Sequence, residues 1–457
     1  MVRIIGSYSV TPKKESPIGV LWLAENDQVP RWSHQPTLYI YKPKHSESED
    51  DFNVFVERMR ESLSHILVHY YPLAGRLNWI QGGRLKLDCN AKGAMLLEAQ
   101  SNKSMAEYGD FSPNQPIKEL IPTVDYSRPI EELPLLLAQI TRFKELQEGI
   151  AIGIALSHPL CDGLAAIHFV NSWAKMTRGE TLEASELPFH DRTLLKPRRP
   201  LSSPRFDHAE MKPLPLILGR TNTIEEQKKK TTFFQLKLTA EQVQKLKKDA
   251  NNDNNGFQSG EPYSRFEAIG AHLWRSACKA RELSKDQPTV FQTVVDIRRK
   301  LNPPLPQNYF GNALASTISP TCCVGDIVSK PLSYAAKNIR EAVERINDEY
   351  IRSQIDFFAC EKRMDRIRTP FLEKEEYRED VLFYGNPNFG VTSWMSMRVY
   401  EADFGWGRLV HFGQGALFPF DRGLLALSPD MDGSILVFMH FQEAHMQNFI
   451  KFFWEDI

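Results

Sequence analysis

The chain has 457 residues, a formal net charge of -1, and 42% hydrophobic and 11% aromatic residues. The length predicts two domains, and the near-zero charge excludes general electrostatic binding to nucleic acid or to an anionic membrane. Because the N-terminus lacks an apolar signal segment, no stretch approaches the ~20 apolar residues of a membrane span, and the six cysteines show no CxxC spacing, we expect a cytoplasmic protein with reduced thiols.

Strand and helix patterns alternate over the first part of the chain, residues 1–185, which we assign to a first domain. The predicted elements are strands at 37–43, 83–90, 135–143 and 150–157, a helix at 52–71, and a helix that runs from Gly163 to a stop at Gly179.

The stretch 186–230 contains six prolines and ends in EEQKKK, which predicts a crossover linker. A second domain, residues 231–457, follows with the same alternation. Its predicted elements include helices at 265–284 and 331–363 and strands at 289–301, 389–405 and 433–441. No fixed-period repeat is present, so the fold class is α/β, with two mixed domains.

The stretch SHPLCDG, residues 157–163, places His158 and Asp162 where a buried strand gives way to a helix. Such a turn can hold a side chain rigidly and still expose it to a cleft. A neutral imidazole is a natural general base near pH 7. A buried structural histidine is the alternative, and Asp162 either orients His158 or braces the turn.

Other reaction chemistries lack their motifs. The sequence contains no G-x-S-x-G nucleophile elbow, no P-loop and no His/Cys cluster with zinc spacing. Direct transfer assisted by one base is the chemistry that remains.

SHPLCDG together with DFGWG, residues 403–407, resembles the two signature motifs of the BAHD family of plant CoA-dependent acyltransferases. Further matches, in the same order along the chain, are YPLAGR (71–76), AHLWRSACKAR (271–281), NYFGNA (308–313) and FGVTSW (389–394). Six matches over nearly the whole chain make the resemblance specific.

The resemblance implies two chloramphenicol-acetyltransferase-like domains with mixed sheets and a central solvent channel, which acyl-CoA and the acceptor enter from opposite faces. His158 would deprotonate the acceptor, which then attacks the thioester without an acyl-enzyme. Acyl-CoA would be a co-substrate, so no cofactor or metal is expected, and the family suggests a monomer.

The family also suggests roles for further residues. Asp162 would pair with Arg298 and be structural, with orientation of His158 as the alternative. Thr392 and Trp394 would line the reaction centre, although Trp394 could equally be a core residue. The DFGWG residues Asp403, Gly405 and Gly407 would be structural. Ser264 and Arg265 would contact CoA, with a helix cap as the competing role of Ser264.

The expectation about the acceptor rests on the charge of one residue, Glu379. In shikimate- and quinate-using members an arginine thirteen residues before the threonine of TSW binds the acceptor carboxylate, whereas here that count reaches Glu379. A carboxylate there would repel shikimate or quinate and attract a protonated amine. Within the family the chain looks most similar to spermidine hydroxycinnamoyltransferases, which implies transfer of a hydroxycinnamoyl group from hydroxycinnamoyl-CoA to an amine of a polyamine such as spermidine. The neighbouring acidic residues, which could instead form a solvated loop, are Glu373, Glu375, Glu376 and Asp380. His34 matches a position near the acceptor, or is a surface histidine.

Two other functions stay open. The chief rival is O-acylation of an alcohol, such as shikimate, quinate or another specialised metabolite, by the same residues. The second is a non-catalytic ligand-binding protein with this fold, against which the intact His158, Asp162 and Thr392 argue.

Overall fold

The computed structural model of the protein describes residues 1–45, 48–113, 115–252, 261–368, 377–379, 381–415 and 420–457. Strands and helices are numbered along the chain. Two six-stranded sheets form the frame, which confirms the predicted mixed α/β fold. No helix in the described ranges is long and apolar enough to cross a bilayer.

The first sheet has the strand order β1-β6-β7-β8-β3-β15. Its β6–β7 pair is parallel and its other pairs are antiparallel. The strands are β1 (Val2–Val10), β3 (His34–Pro43), β6 (Ala94–Ser101), β7 (Leu136–Arg142), β8 (Ile150–Ser157) and β15 (Gly407–Gln414). A smaller sheet beside it contains β2 (Gly19–Leu21), β4 (Arg76–Ile80) and β5 (Arg84–Cys89).

The second sheet has the order β12-β11-β14-β16-β17-β9, with β14 parallel to both of its neighbours. Its strands are β9 (Thr231–Leu238), β11 (Phe291–Asp296), β12 (Leu314–Ile318), β14 (Phe389–Ser393), β16 (Arg422–Leu427) and β17 (Ile435–Gln442). The short strands β10 (Pro288–Thr289) and β13 (Cys322–Cys323) pair with each other.

Each sheet buries its apolar face under helices. Helices α1 and α3 share a core with β8, and α6, α8 and α11 share a second core with β17. The helices are α1 (Glu49–His69), α2 (Gln115–Lys118), α3 (Gly163–Thr177), α4 (Ile224–Gln227), α5 (Ala240–Asn251), α6 (Arg265–Arg281), α7 (Val324–Ser329), α8 (Leu332–Glu344), α9 (Asp348–Cys360), α10 (Met364–Arg368) and α11 (Glu443–Glu455).

Three predicted elements are wrong in extent. The strand expected at 289–301 is β11, which ends at Asp296. The single helix expected at 331–363 is two helices, α8 and α9, because Asn347 caps α9 by accepting a hydrogen bond from the backbone N–H of Tyr350 at 2.9 Å. The strand expected at 389–405 ends at Ser393, after which the chain turns away from the second sheet.

The segment 186–230 is more than a linker. Its Phe189 forms a β-bridge with Tyr309, and its His208 and Glu210 are fully enclosed. Glu210 accepts hydrogen bonds from His208 at 3.0 Å and from Tyr350 at 2.8 Å. The segment therefore packs into the second domain through buried polar groups, which its proline content did not reveal.

The predicted second domain, 231–457, does not coincide with one sheet. Strand β15 crosses to the first sheet and pairs with β3, with Gly407 opposite Pro43. No strand was predicted at 407–414, and hydrophobic alternation would in any case identify a strand but not its partner.

Candidate active site

A cavity of about 330 Å³ lies between the two sheets. Thr37 and Tyr39 of β3 line it from the first sheet, and Thr392 of β14 and Leu424 of β16 line it from the second. Its shape and mixed lining suit a small organic ligand. In the described part of the chain, no three His, Cys, Asp or Glu side chains are grouped to hold a metal ion.

His158 lies in the turn that follows β8, and its ring lines the cavity. The backbone N–H of His158 donates to the carbonyl oxygen of Ser33 at 3.1 Å. Burial lowers the pKa of His158; the backbone of the turn and the charge of Asp162 oppose this shift, and Arg422 adds to it. A histidine with a lowered pKa is neutral at pH 7, which is the protonation state that a general base needs.

Asp162 points away from the ring of His158. Its carboxylate accepts two hydrogen bonds from the Arg298 guanidinium, at 2.9 and 3.1 Å, and a third from the backbone N–H of Ala313 at 2.9 Å. It also caps α3 by accepting from the backbone N–H of Ala165 at 3.0 Å. The pairing expected with Arg298 is therefore present, and the alternative in which Asp162 orients His158 is wrong.

The pair of Asp162 and Arg298 joins the histidine turn to the second domain. Both side chains are fully buried, and Arg298 also donates to the carbonyl oxygen of Tyr309 at 3.1 Å. Removing one partner would leave an uncompensated buried charge, a change that typically costs about 3–5 kcal/mol of stability.

A second buried network, which the sequence did not predict, holds the same turn. Asn312 donates to the carbonyl oxygen of His158 at 2.9 Å and to the Asp27 carboxylate at 3.0 Å. Arg192 donates to Asp27 at 2.9 Å and to the carbonyl oxygen of Leu160 at 3.0 Å. The signal for this network was weak, since Arg192 lies in the apparent linker and Asn312 was noted only as part of NYFGNA.

Thr392 and Trp394 both line the cavity. The hydroxyl oxygen of Thr392 accepts a hydrogen bond from the guanidinium of Arg422 on the adjacent strand. The Trp394 ring packs against Phe412, with ring centroids 5.7 Å apart, and its backbone N–H donates to the carbonyl oxygen of Leu425 at 2.7 Å. Trp394 thus combines packing with a position at the cavity, and Arg422 is a site residue that the sequence motifs did not indicate.

A strap, defined here as residues 394–406, connects β14 of the second sheet to β15 of the first and runs along α3. At the start of α3, Trp394 Nε1 and Met397 Cε lie 3.5 and 3.0 Å from where a Cβ on Gly163 would be. In the middle, Asn171 Nδ2 donates to the carbonyl oxygen of Arg398 at 3.0 Å. The strap therefore contacts the helix that begins immediately after the histidine turn.

The DFGWG motif anchors the far end of this strap. Phe404 packs edge-on against Trp173 of α3, with centroids 5.2 Å apart, and the carbonyl oxygen of Asp403 accepts a hydrogen bond from Arg178. Gly405 has a φ of +84°, and a Cβ on Gly407 would lie 2.0 Å from the carbonyl oxygen of Lys42. Both glycines are thus required by the backbone, and no residue of the motif lines the cavity.

Ser264 and Arg265 lie at the start of α6 and are exposed. Ser264 caps the helix, accepting from the backbone N–H of Glu267 at 3.3 Å, while Glu267 pairs with Arg340 at 2.8 Å. Neither Ser264 nor Arg265 lines the cavity. The cap is therefore observed, and the contact with CoA stays a prediction.

His34, expected near the acceptor, does not line this cavity. His34 is opposite Ser157 in the first sheet, but its side chain is buried away from the cavity. Its Nε2 lies 2.7 Å from the carbonyl oxygen of Pro134 and its Nδ1 lies 3.1 Å from the hydroxyl of Tyr126. Both ring nitrogens are occupied, and burial lowers the pKa of His34 to about 4.

Glu379 is also outside the cavity. It is exposed and accepts a hydrogen bond from Asn222 at 3.0 Å. Residues Glu373, Glu375, Glu376 and Asp380 lie outside the described residues. Counting thirteen residues back from Thr392 therefore did not identify a residue of the cavity wall. The number of residues between two positions in a loop does not determine where the loop places them.

Comparison with known proteins gives full-length matches. The chain matches the Transferase family over residues 1–455. It is 41% identical to hydroxycinnamoyl-CoA:piscidic acid hydroxycinnamoyltransferase from Actaea racemosa, with 100% of both chains covered. It is 36% identical to shikimate O-hydroxycinnamoyltransferase from Nicotiana tabacum and 34% identical to hydroxycinnamoyl-CoA:5-hydroxyanthranilate N-hydroxycinnamoyltransferase from Avena sativa, with 99% of each chain covered in both cases.

Solved structures share the fold at lower identity. Vinorine synthase superimposes with a TM-score of 0.71 at 21% identity, covering 98% of this chain and 96% of that one. F. graminearum TRI101 with coenzyme A and T-2 mycotoxin superimposes with a TM-score of 0.74 at 14% identity, covering 94% and 96%. These likenesses confirm the two-domain acyltransferase fold. By its full-length family match and by the motifs around its cavity, the protein belongs to the Transferase family, that of the BAHD acyltransferases.

Proposed function

We propose that the protein transfers a hydroxycinnamoyl group from its CoA thioester to a hydroxyl group of a small anionic acceptor. One observation carries this proposal: a single cavity is lined by His158, which follows a strand of the first sheet, and by Thr392 and Arg422 of the second sheet. The donor follows from relatives whose names specify hydroxycinnamoyl transfer and which match the whole chain.

The reaction needs one base and one group that stabilises negative charge. His158 takes the proton of the acceptor hydroxyl while the oxygen attacks the thioester carbonyl carbon, whose π electrons move to its oxygen. Collapse of the tetrahedral intermediate breaks the C–S bond, and the histidine proton passes to the CoA thiolate. Thr392 and Trp394 at the cavity wall supply a hydroxyl and an indole N–H for the oxyanion.

The charge of Arg422 argues against a cationic acceptor. Burial lowers the pKa of Arg422 to about 10, so the guanidinium is still cationic at pH 7. Two like charges roughly 4 Å apart repel by about 4 kcal/mol in a partly buried site, which disfavours an ammonium group beside Thr392. The acceptors named for two relatives, piscidic acid and shikimate, are acids.

The expected spermidine acceptor loses its main support. It rested on Glu379, which is exposed and bonded to Asn222 outside the cavity. One finding still supports N-acylation: the relative from Avena sativa is an N-hydroxycinnamoyltransferase named for 5-hydroxyanthranilate. The second candidate is therefore acylation of an amine on an anionic acceptor.

The acceptor class can be tested by competition. Purified protein would receive p-coumaroyl-CoA with equimolar piscidic acid, shikimate, 5-hydroxyanthranilate and spermidine, and products would be identified by mass spectrometry. We expect esters of a hydroxy acid to exceed spermidine amides at least ~10-fold, which corresponds to about 1.4 kcal/mol of discrimination. A dominant amide of 5-hydroxyanthranilate would support the second candidate, and dominant spermidine amides would contradict both.

A further inference from the structure

Thr392 and Arg422 face the cavity from neighbouring strands. In the parallel pairing of β14 with β16, Gly390 is opposite Arg422 and Thr392 is opposite Leu424, so the two side chains are diagonal neighbours on one face. Both line the cavity, and a guanidinium N–H of Arg422 donates to the hydroxyl oxygen of Thr392. Arg422 is half-buried.

This contact fixes the role of the threonine hydroxyl. A guanidinium can only donate hydrogen bonds, so the hydroxyl oxygen must be the acceptor and its own proton must point elsewhere. Within the described ranges, Thr392 forms no other side-chain hydrogen bond. The cavity is the remaining side on which the hydroxyl can donate.

We infer that Arg422 is a positioning residue that holds the Thr392 hydroxyl as a hydrogen-bond donor toward the thioester carbonyl oxygen. The inference rests on the proposed acyl transfer and adds how the oxyanion is stabilised. When the acceptor oxygen attacks, the carbonyl oxygen becomes an oxyanion, and a donor oriented in advance stabilises it without reorganising. The cation behind Thr392 polarises the hydroxyl and strengthens this hydrogen bond.

A different role for the same arginine is direct binding of the acceptor carboxylate. The two roles predict different kinetics. An arginine that acts through Thr392 lowers kcat for every acceptor and has no further effect once the hydroxyl is gone. An arginine that binds the carboxylate raises KM for the acid alone, whether or not Thr392 is present.

The test is a double-mutant cycle with Thr392→Val, Arg422→Met and the double variant. Steady-state kinetics would use p-coumaroyl-CoA with shikimate and with its uncharged methyl ester. We expect Thr392→Val and Arg422→Met each to lower kcat ~10²-fold with both acceptors, as loss of one oxyanion donor typically does. Adding Arg422→Met to Thr392→Val should lower kcat less than ~3-fold further, because the two residues act as one unit.

Two further variants keep the test independent of folding. Thr392→Ser retains the hydroxyl and should recover most of kcat, and Arg422→Lys retains the charge and should exceed Arg422→Met in kcat. Thermal unfolding would confirm that all variants fold. Multiplicative losses in the double variant, or a KM increase confined to the acid, would overturn the inference. Absence of transfer by the unmodified protein to either hydroxy acid of the competition mixture, piscidic acid or shikimate, would instead overturn the proposed function.

Discussion

His158 illustrates how one side chain acquires its chemistry from its surroundings. The ring is enclosed between two sheets, and desolvation is the largest cause of its lowered pKa. Two charged neighbours act in opposite directions, Asp162 raising the pKa and Arg422 lowering it. The effect of burial on the pKa is larger than that of either charge. His158 is therefore neutral at pH 7 without a second side chain that accepts its proton.

The lowered pKa predicts a pH profile. The base works only when neutral, and its pKa in the folded protein lies below the ordinary 6.5. Protonation therefore stops the reaction only at acid pH, so kcat/KM should be flat from neutral pH upward and fall as the pH drops through a midpoint below 6.5. Measuring kcat/KM from pH 5 to 8 checks this, and an acid midpoint above 6.5 would contradict it.

The residues recovered from the sequence share one property: each belongs to a motif that is contiguous in the chain. His158, Asp162, Thr392 and Trp394 were placed at the cavity or beside it for this reason. Arg422 was missed because it reaches Thr392 through strand pairing. His34 and Glu379, which were expected at the acceptor, have other hydrogen-bond partners and do not line the cavity. A matching position or a counted distance does not determine where a side chain points.

At the scale of elements, α3 links the two signature motifs. Asp162 caps its first turn, and Arg178 just beyond its last turn holds the backbone of DFGWG. The strap between Trp394 and Trp406 contacts the same helix along its length. DFGWG can therefore influence the site without lining it, by fixing the strap that carries Trp394 against the helix that follows His158.

One hydrogen bond in the strap allows this coupling to be tested. Asn171→Asp removes the N–H donor to the carbonyl oxygen of Arg398 at nearly constant volume. We expect kcat to fall ~3–10-fold with little change in acceptor KM, because a lost hydrogen bond costs about 1 kcal/mol. The matched control is Asn53→Asp on the exposed side of α1. An unchanged kcat with a lower melting temperature would show that the contact serves stability alone.

At the scale of the whole molecule, the two sheets are connected at several points around the cavity. Strand β15 crosses from the second half of the chain into the first sheet, and the segment 186–230 packs into the second domain. The two buried networks at the histidine turn, centred on Asp162 and Asp27, also include residues of both halves. The halves therefore meet at the site through backbone pairing and buried charge as well as apolar packing.

The sequence predicted the fold class and the elements with the clearest local periodicity, such as β3, β7, β8, β17, α1, α3 and α6. It missed others, among them β1, β6, β15, β16 and α11. It did not predict the partner of β15 or the packing of 186–230, since both depend on contacts far apart in the chain. The break between α8 and α9 was missed because the apolar spacing continues across the cap at Asn347.

The most direct test of the account is acceptor-dependent release of the CoA thiol by the unmodified protein and by His158→Ala. With p-coumaroyl-CoA and a hydroxy acid, we expect His158→Ala to lower kcat about 10²–10⁴-fold. His65→Ala, which changes a partly exposed histidine of α1 outside the cavity lining, should leave kcat unchanged. Full activity of folded His158→Ala would contradict the assignment of His158 as the general base and, with it, the proposed mechanism.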